Sequence, residues 1–260
     1  MAVARRKADI LLISIVLASV VVNTRDFLAS NGYVLSTRFF FPYGTSIFEN
    51  LNRLFFSSWD HSMLGNPLIF STVNLPLYAI ISLGASLFGA AQWTRIYLLF
   101  LWSFLMLMTY VFLRRFLGIG SFGCFIGSVF SGYNAWAIIY VLRMNDTILV
   151  SYSLLLGALL LASQYLRKGE LAYALLSGCL VTATFLHPPT GLITLVVLVL
   201  YLFGSLGWKL LKEKSFLRVL YHRTFLLLLI LCWSCSYLIP HLNWAKTDPA
   251  VGSFAPALQT

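Results

Sequence analysis

The sequence predicts an all-α, polytopic transmembrane helical bundle of about seven spans, and three observations carry that prediction. Hydrophobic residues make up 60% of the 260 positions. Charged residues make up only 10%, against roughly 25% in a soluble domain. The apolar residues arrive in long runs, without helical or strand alternation, and give a mean hydropathy of +0.86. A bilayer core offers no water to satisfy backbone groups, so such runs must be helices. They are too long and too uniformly apolar for barrel strands. The whole chain, 1–260, reads as a single transmembrane domain.

The elements follow in order. Arg5, Arg6 and Lys7 precede the apolar run Ile10 to Val22, an arrangement like a signal peptide. No small-x-small cleavage site is evident and more spans follow, so the run is read as an uncleaved first span with its basic start in the cytoplasm. Residues Asn23 to Asn74 form the longest polar stretch, holding Arg25, Asp26, Arg38, Glu49, Arg53, Asp60 and His61. Within it Ile47, Leu51, Leu54 and Phe55 recur at helical spacing, which predicts an amphipathic juxtamembrane helix lying on the membrane surface. Pro76 to Phe88 is apolar but only thirteen residues long. A span needs roughly 20, so this segment is expected to be interfacial or re-entrant. Further spans are expected at Ile96–Leu113, Phe122–Trp136, Thr147–Tyr165, Leu171–Leu186, Gly191–Leu206 and Phe225–Ile239. The second of these contains Gly123, Gly127 and Gly132.

Charge sets the orientation. If Pro76–Phe88 does not cross, then Arg5 to Lys7, Arg114-Arg115, Arg167-Lys168 and the stretch Lys209 to Arg223 share one side. That side holds twelve of the eighteen Lys and Arg residues. The other keeps six basic residues and five of the eight acids, Asp26, Glu49, Asp60, Asp146 and Asp248. The positive-inside rule then predicts a cell-membrane protein with its N-terminus in the cytoplasm. The same rule accounts for the net charge of +10 as topology signals and excludes nucleic acid as a partner. The four cysteines all lie in apolar runs. Cys232-Trp-Ser-Cys235 has CxxC spacing but no second pair or histidine cluster, so the cysteines read as packing residues.

On this topology the outer face collects the long first loop, the loop from Tyr133 to Asp146, the His187-Pro188-Pro189 turn and the C-terminal tail. There polar residues sit beside apolar and aromatic ones, a setting in which a carboxylate becomes a usable base. Asp26, about four residues beyond the first span, is either a candidate base or an anchoring juxtamembrane charge. Asp60, in Ser57-Ser58-Trp59-Asp60-His61, is a second acid or a turn cap. Asp60 and His61 alone make no metal site. Arg143 either snorkels to the interface or contacts a lipid phosphate. Asp146 caps the helix from Thr147 or joins the site, and His187 is a polar cap or a substrate contact at a helix end that the prolines terminate. No phosphate loop, dinucleotide fingerprint, nucleophile elbow or zinc spacing is present.

The order of a first span, a juxtamembrane Asp26, a long outer loop with surface helices and then many spans resembles the GT-C superfamily of membrane glycosyltransferases. Phe40 to Leu117 is similar to the large arabinofuranosyltransferase-like multispanning proteins. The shared elements are Trp59-Asp60 followed by Gly65-Asn66-Pro67, then Leu75-Pro76-Leu77-Tyr78, an aromatic-rich span ending in Arg114-Arg115, and Ser131-Gly132-Tyr133-Asn134. The resemblance covers roughly the first 200 residues. It implies transfer of a sugar from a polyprenyl-phosphate donor to a glycan or lipid acceptor on the non-cytoplasmic side. Asp26 would be the general base, with Asp60 behind it. Arg143 and His187 would stabilise the departing phosphate. Arg38, Trp59, His61, Tyr133 and Asp146 would complete the substrate-binding set. No cofactor is implied with certainty, and a divalent metal stays open. Asp26 stands alone where several families of the superfamily carry paired acids. The chain also ends at Thr260 where relatives continue, which implies a truncated product or one part of a split protein, either inactive or in need of a partner subunit. The alternatives are a non-catalytic multispan subunit and, against the uncharged span centres, a transporter or lipid flippase.

Overall fold

The computed structural model describes residues 2–29, 59–60, 66–67, 75–142, 146–185, 188–210 and 220–231. Its helices are α1 (Ala2–Ala29), α2 (Leu75–Phe88), α3 (Ala90–Arg115), α4 (Ser121–Tyr133), α5 (Ala135–Leu142), α6 (Asp146–Lys168), α7 (Leu171–Thr184) and α8 (Pro188–Leu210), followed by α9 (Leu220–Leu231). A minimal antiparallel ladder pairs Trp59 with Pro67 and Asp60 with Asn66. Apart from that ladder of two residues a strand, the described elements are helices, as expected. The amphipathic helix expected around Ile47 to Phe55 lies outside them.

Three described helices are long and apolar enough to cross a membrane: Lys7–Asp26, Gln92–Arg115 and Thr147–Lys168. A fourth crossing is available if α4 and α5, bent by 55° at their junction, are taken as one broken span. α7, the stretch Pro189–Phe203 of α8, and α9 are shorter apolar helices. The expected span Phe122–Trp136 is thus interrupted. Asn134 leaves the helix with φ −72° and ψ 156°. Its amide donates back to the carbonyls of Phe130 and Ser131, while its Oδ1 accepts from the Ala137 N–H at 2.8 Å. One side chain so closes α4 and opens α5, serving groups that a helix end otherwise leaves orphaned. Pro188 and Pro189 also act differently from expectation, for they open α8. A proline in a first turn lacks only an N–H that would have no helical partner there.

Contacts between the helices fix which ends share a face. α1 and α3 run antiparallel. Asp9 near the start of α1 pairs with Arg114 near the end of α3 at 3.2 Å, and Arg95 near the start of α3 donates to the Leu28 carbonyl near the end of α1 at 3.3 Å. α2 therefore brings the chain to α3 on the face where α1 finishes. It turns into α3 at Gly89, whose φ of 78° suits a residue without a Cβ. Phe88 then stacks on Trp93 with centroids 5.8 Å apart. At the other end of the bundle, Phe116 meets Tyr201 at 5.2 Å and the Tyr165 hydroxyl meets His222 Nδ1 at 3.1 Å. The clusters at Lys7, Arg114-Arg115, Arg167-Lys168 and Arg223 consequently gather at one end, called here the basic end.

Packing is organised by α6. One core joins Val16 and Val20 of α1, Leu101, Leu105 and Met106 of α3, Ala137 of α5 and Leu149 of α6. A second joins Leu155, Ala158 and Ala162 of α6 to Ala174 and Val181 of α7, Leu198 of α8 and Leu226 and Ile230 of α9. Over half of the apolar window of α6 is buried (56%), against 17% for α1, so α6 is the axis and α1 the periphery. Small residues set the close approaches, as membrane helix packing requires. Ser177 donates to the Ala158 carbonyl across α6 and α7, and Ser128 donates to the Met106 carbonyl across α3 and α4.

Candidate functional site

The polar side chains opposite the basic end start on α1. Ser19, Asn23 and Asp26 fall four and three residues apart and so occupy one helix face. Asn23 Nδ2 donates to the Tyr133 hydroxyl at 3.0 Å, and that hydroxyl donates to Ser19 Oγ, also at 3.0 Å. Ser19 Oγ in turn donates to the Val16 carbonyl at 2.7 Å. The result is a directed chain of hydrogen bonds from α1 to the end of α4 and back. The Tyr133 ring lies 5.2 Å from that of Trp102, whose Nε1 donates to the Gly132 carbonyl at 2.9 Å. A Cβ on Gly132 would lie 2.5 Å from the Met106 side chain, so a glycine is what lets the Tyr133 turn come this close to α3. Ser131-Gly132-Tyr133-Asn134 is thereby explained residue by residue: close approach, interhelix bond and bend.

Asp26 is still helical, near the end of α1, and not in a loop beyond the first span. Its side chain is 92% exposed and pairs with the adjacent Arg25 at 3.4 Å. The structure thus brings Asp26 and Tyr133, two of the residues singled out from sequence, to the same end of one helical face. Trp59 and Asp60 have their backbone in the short ladder, and Asp146 opens α6; the side chains of all three lie outside the description. Arg38, His61, Arg143 and His187 lie outside the described residues altogether. No group of three or more metal-ligating side chains occurs among the described residues.

Sequence reasoning missed Ser19 and Asn23, which lay inside or beside an apolar run. Their spacing of four, continued to Asp26, is the signal that marks a polar face on α1. It also missed a polar node at the basic end. Asp9 accepts from the Tyr110 hydroxyl at 2.8 Å and from Arg114 Nε at 3.2 Å. Arg114 Nη1 donates to the Ile119 carbonyl at 3.0 Å. Burying a carboxylate beside apolar helices is costly unless it is paired, and here each oxygen has a donor. This node ties α1 to α3 and to the turn that follows α3.

Comparison of the chain with protein-family models, curated proteins and solved structures returns no match. Among the described residues, fold and geometry together define a helical protein with three helices, or four if the bent pair is one span, fit to cross a membrane.

Proposed function

We propose that the chain is a membrane glycosyltransferase, or the N-terminal portion of one, that moves a sugar from a polyprenyl-phosphate donor to a glycan or lipid acceptor. In this reading it has seven spans in the cell membrane, an N-terminus in the cytoplasm, and its chemistry on the opposite side. Asp26 is the general base, taking the proton of the acceptor hydroxyl as that oxygen attacks the sugar and the lipid phosphate departs. Arg143 and His187 offset the charge that develops on the phosphate.

The observation that carries the reading is the polar face of α1. It runs from the half-buried Ser19, through the Asn23–Tyr133 contact, to a solvent-accessible carboxylate at Asp26, at the end of the bundle away from the basic clusters. A base that must meet an acceptor from outside the membrane needs this access. The test is transfer from a radiolabelled polyprenyl-phosphate sugar in membranes containing the chain. Asp26→Ala and Asp26→Asn are expected to lower transfer by roughly 10²- to 10⁴-fold, the usual contribution of general-base catalysis. Transfer that survives both substitutions removes Asp26 from the role.

The exposure of Asp26 and its pairing with Arg25 favour a second reading, a non-catalytic multispan subunit in which Asp26 anchors the end of α1. Absence of transfer by the unaltered chain, with every donor tried, selects that reading.

A further inference from the structure

The basic end of the bundle has a composition of its own. Lys7, Arg115, Arg167 and Lys168 are exposed there. They come from the start of α1 and the ends of α3 and α6, which the Asp9–Arg114 pair and the packing of Phe112 and Phe116 against the cluster of Tyr165 bring to the same level. Tyr201 of α8 packs on Phe116 and His222 of α9 bonds to Tyr165, so α8 and α9 reach the same level. Exposed aliphatics are interleaved with the cations. Leu117 is 54% exposed and Ile119 36% in the turn after Arg115, and Leu171 is 53% exposed three residues after Lys168, next to the exposed acid Glu170.

Cations alone would suit any polyanion. Cations alternating with solvent-exposed leucine and isoleucine suit only a partner that is anionic at one depth and hydrocarbon just beneath it. Water would make Leu117, Ile119 and Leu171 a liability, whereas the acyl boundary accommodates them. Arginine and lysine at headgroup depth then meet lipid phosphate. We propose that the basic end is a binding surface for anionic phospholipids, with Arg115, Arg167 and Lys168 as its principal headgroup contacts and the Leu117–Ile119 turn inserted at the acyl boundary. The surface holds an annulus of anionic lipid around the ends of α3 and α6. Arg114 is excluded from the contact set because its guanidinium is engaged by Asp9 and the Ile119 carbonyl, whereas the exposed Lys168 ammonium gives one hydrogen bond to the Tyr173 hydroxyl at 2.9 Å and keeps two donors for a phosphate. The inference needs only that the chain sits in a membrane and does not depend on Asp26 or on sugar transfer.

The test is native mass spectrometry of the full chain, released from detergent containing equimolar phosphatidylglycerol and phosphatidylcholine. Each cation at a charged leaflet is worth about fivefold in occupancy. Retained lipid is therefore expected to favour phosphatidylglycerol by at least about tenfold. R115Q/R167Q/K168Q is expected to bring retention close to parity, while R25Q, at the other end, leaves the preference intact. R115K/R167K keeps the charge and is expected to keep the preference, which guards against a folding defect in the triple variant. Raising ionic strength from about 0.1 M to about 1 M shortens the screening length from about 10 Å to about 3 Å and is expected to weaken the preference in the unaltered chain. Equal retention of the two lipids by the unaltered chain overturns the proposal, as does an undiminished preference in the triple variant. Preferential retention of single-stranded RNA added in place of phosphatidylglycerol, abolished by the same three substitutions, overturns it in favour of a nucleic-acid surface.

Discussion

Tyr133 shows how much one side chain contributes to the organisation of this bundle. Its hydroxyl both accepts and donates between α1 and α4, and its ring packs on Trp102. Tyr133→Phe keeps the ring and deletes the hydroxyl, leaving Asn23 and Ser19 with their bonds inside α1 alone. Interhelix hydrogen bonds in membrane proteins average about 0.6 kcal/mol. A loss of ~1 kcal/mol is therefore expected, read as a lower melting temperature in detergent with helicity unchanged. Gly84 makes a sharper prediction. A Cβ there would lie 1.9 Å from the Trp93 ring, and an indole stacked on Phe88 cannot yield as a flexible chain can. Gly84→Ala is expected to cost about 1–3 kcal/mol by overpacking, and Gly84→Ala combined with Trp93→Leu should recover most of that loss in the same melting experiment. At this scale the sequence was a partial guide. Tyr133 stood out as an aromatic beside a polar turn. Ser19, Asn23 and Asp9 did not, because a polar residue in an apolar run reveals its partner only when the opposing helix is in place.

The two ends of α1 are held to neighbouring helices by different chemistry. Near its start, Asp9 bridges to Tyr110 and Arg114 of α3, and these side chains are mostly buried, Arg114 at 27% and Asp9 at 24% exposure. Near its end, Arg95 of α3 donates to the Leu28 carbonyl. A double-mutant cycle on Asp9→Ala and Arg114→Ala is expected to give a coupling energy of ~1 kcal/mol, since the pair is partly buried and each member has a second hydrogen bond. Additive single-mutant effects would show that the pair does not couple. α4 and α5 teach a related lesson. The glycines of the expected span Phe122–Trp136 left its boundary open, and Asn134 decided it by capping in both directions. A hydropathy reading cannot find such a break, because residues on both sides of it are equally apolar.

For the whole molecule, antiparallel α1 and α3 require an even number of net crossings between the end of α1 and the start of α3. Treating Pro76–Phe88 as a segment that does not cross satisfies that parity with no further assumption. Cysteine accessibility tests the resulting orientation. In a background without the four native cysteines, Ser46→Cys and Ser215→Cys are expected to label from opposite sides of the membrane, and labelling of both from one side would sink the orientation.

The sequence by itself determined the class of protein, because apolar runs without water-facing alternation have one physical solution, the helix. It also determined which basic clusters belong together, since charge near a span is read by the membrane along the chain and needs no tertiary partner. Tertiary structure decided what spacing alone does not reveal. It placed Asp26 on a helix, on the face shared with Ser19 and Asn23. It joined Asp9 to Arg114 over a separation of 105 residues. It set the basic clusters of α1, α3, α6 and α9 at one level, with Leu117, Ile119 and Leu171 exposed among them. Each of these depends on which helix lies beside which, and that is fixed by the packing of Ala158, Ala162, Ser177 and Gly132 against their neighbours. Small residues of this kind look alike in a sequence and differ only in what approaches them.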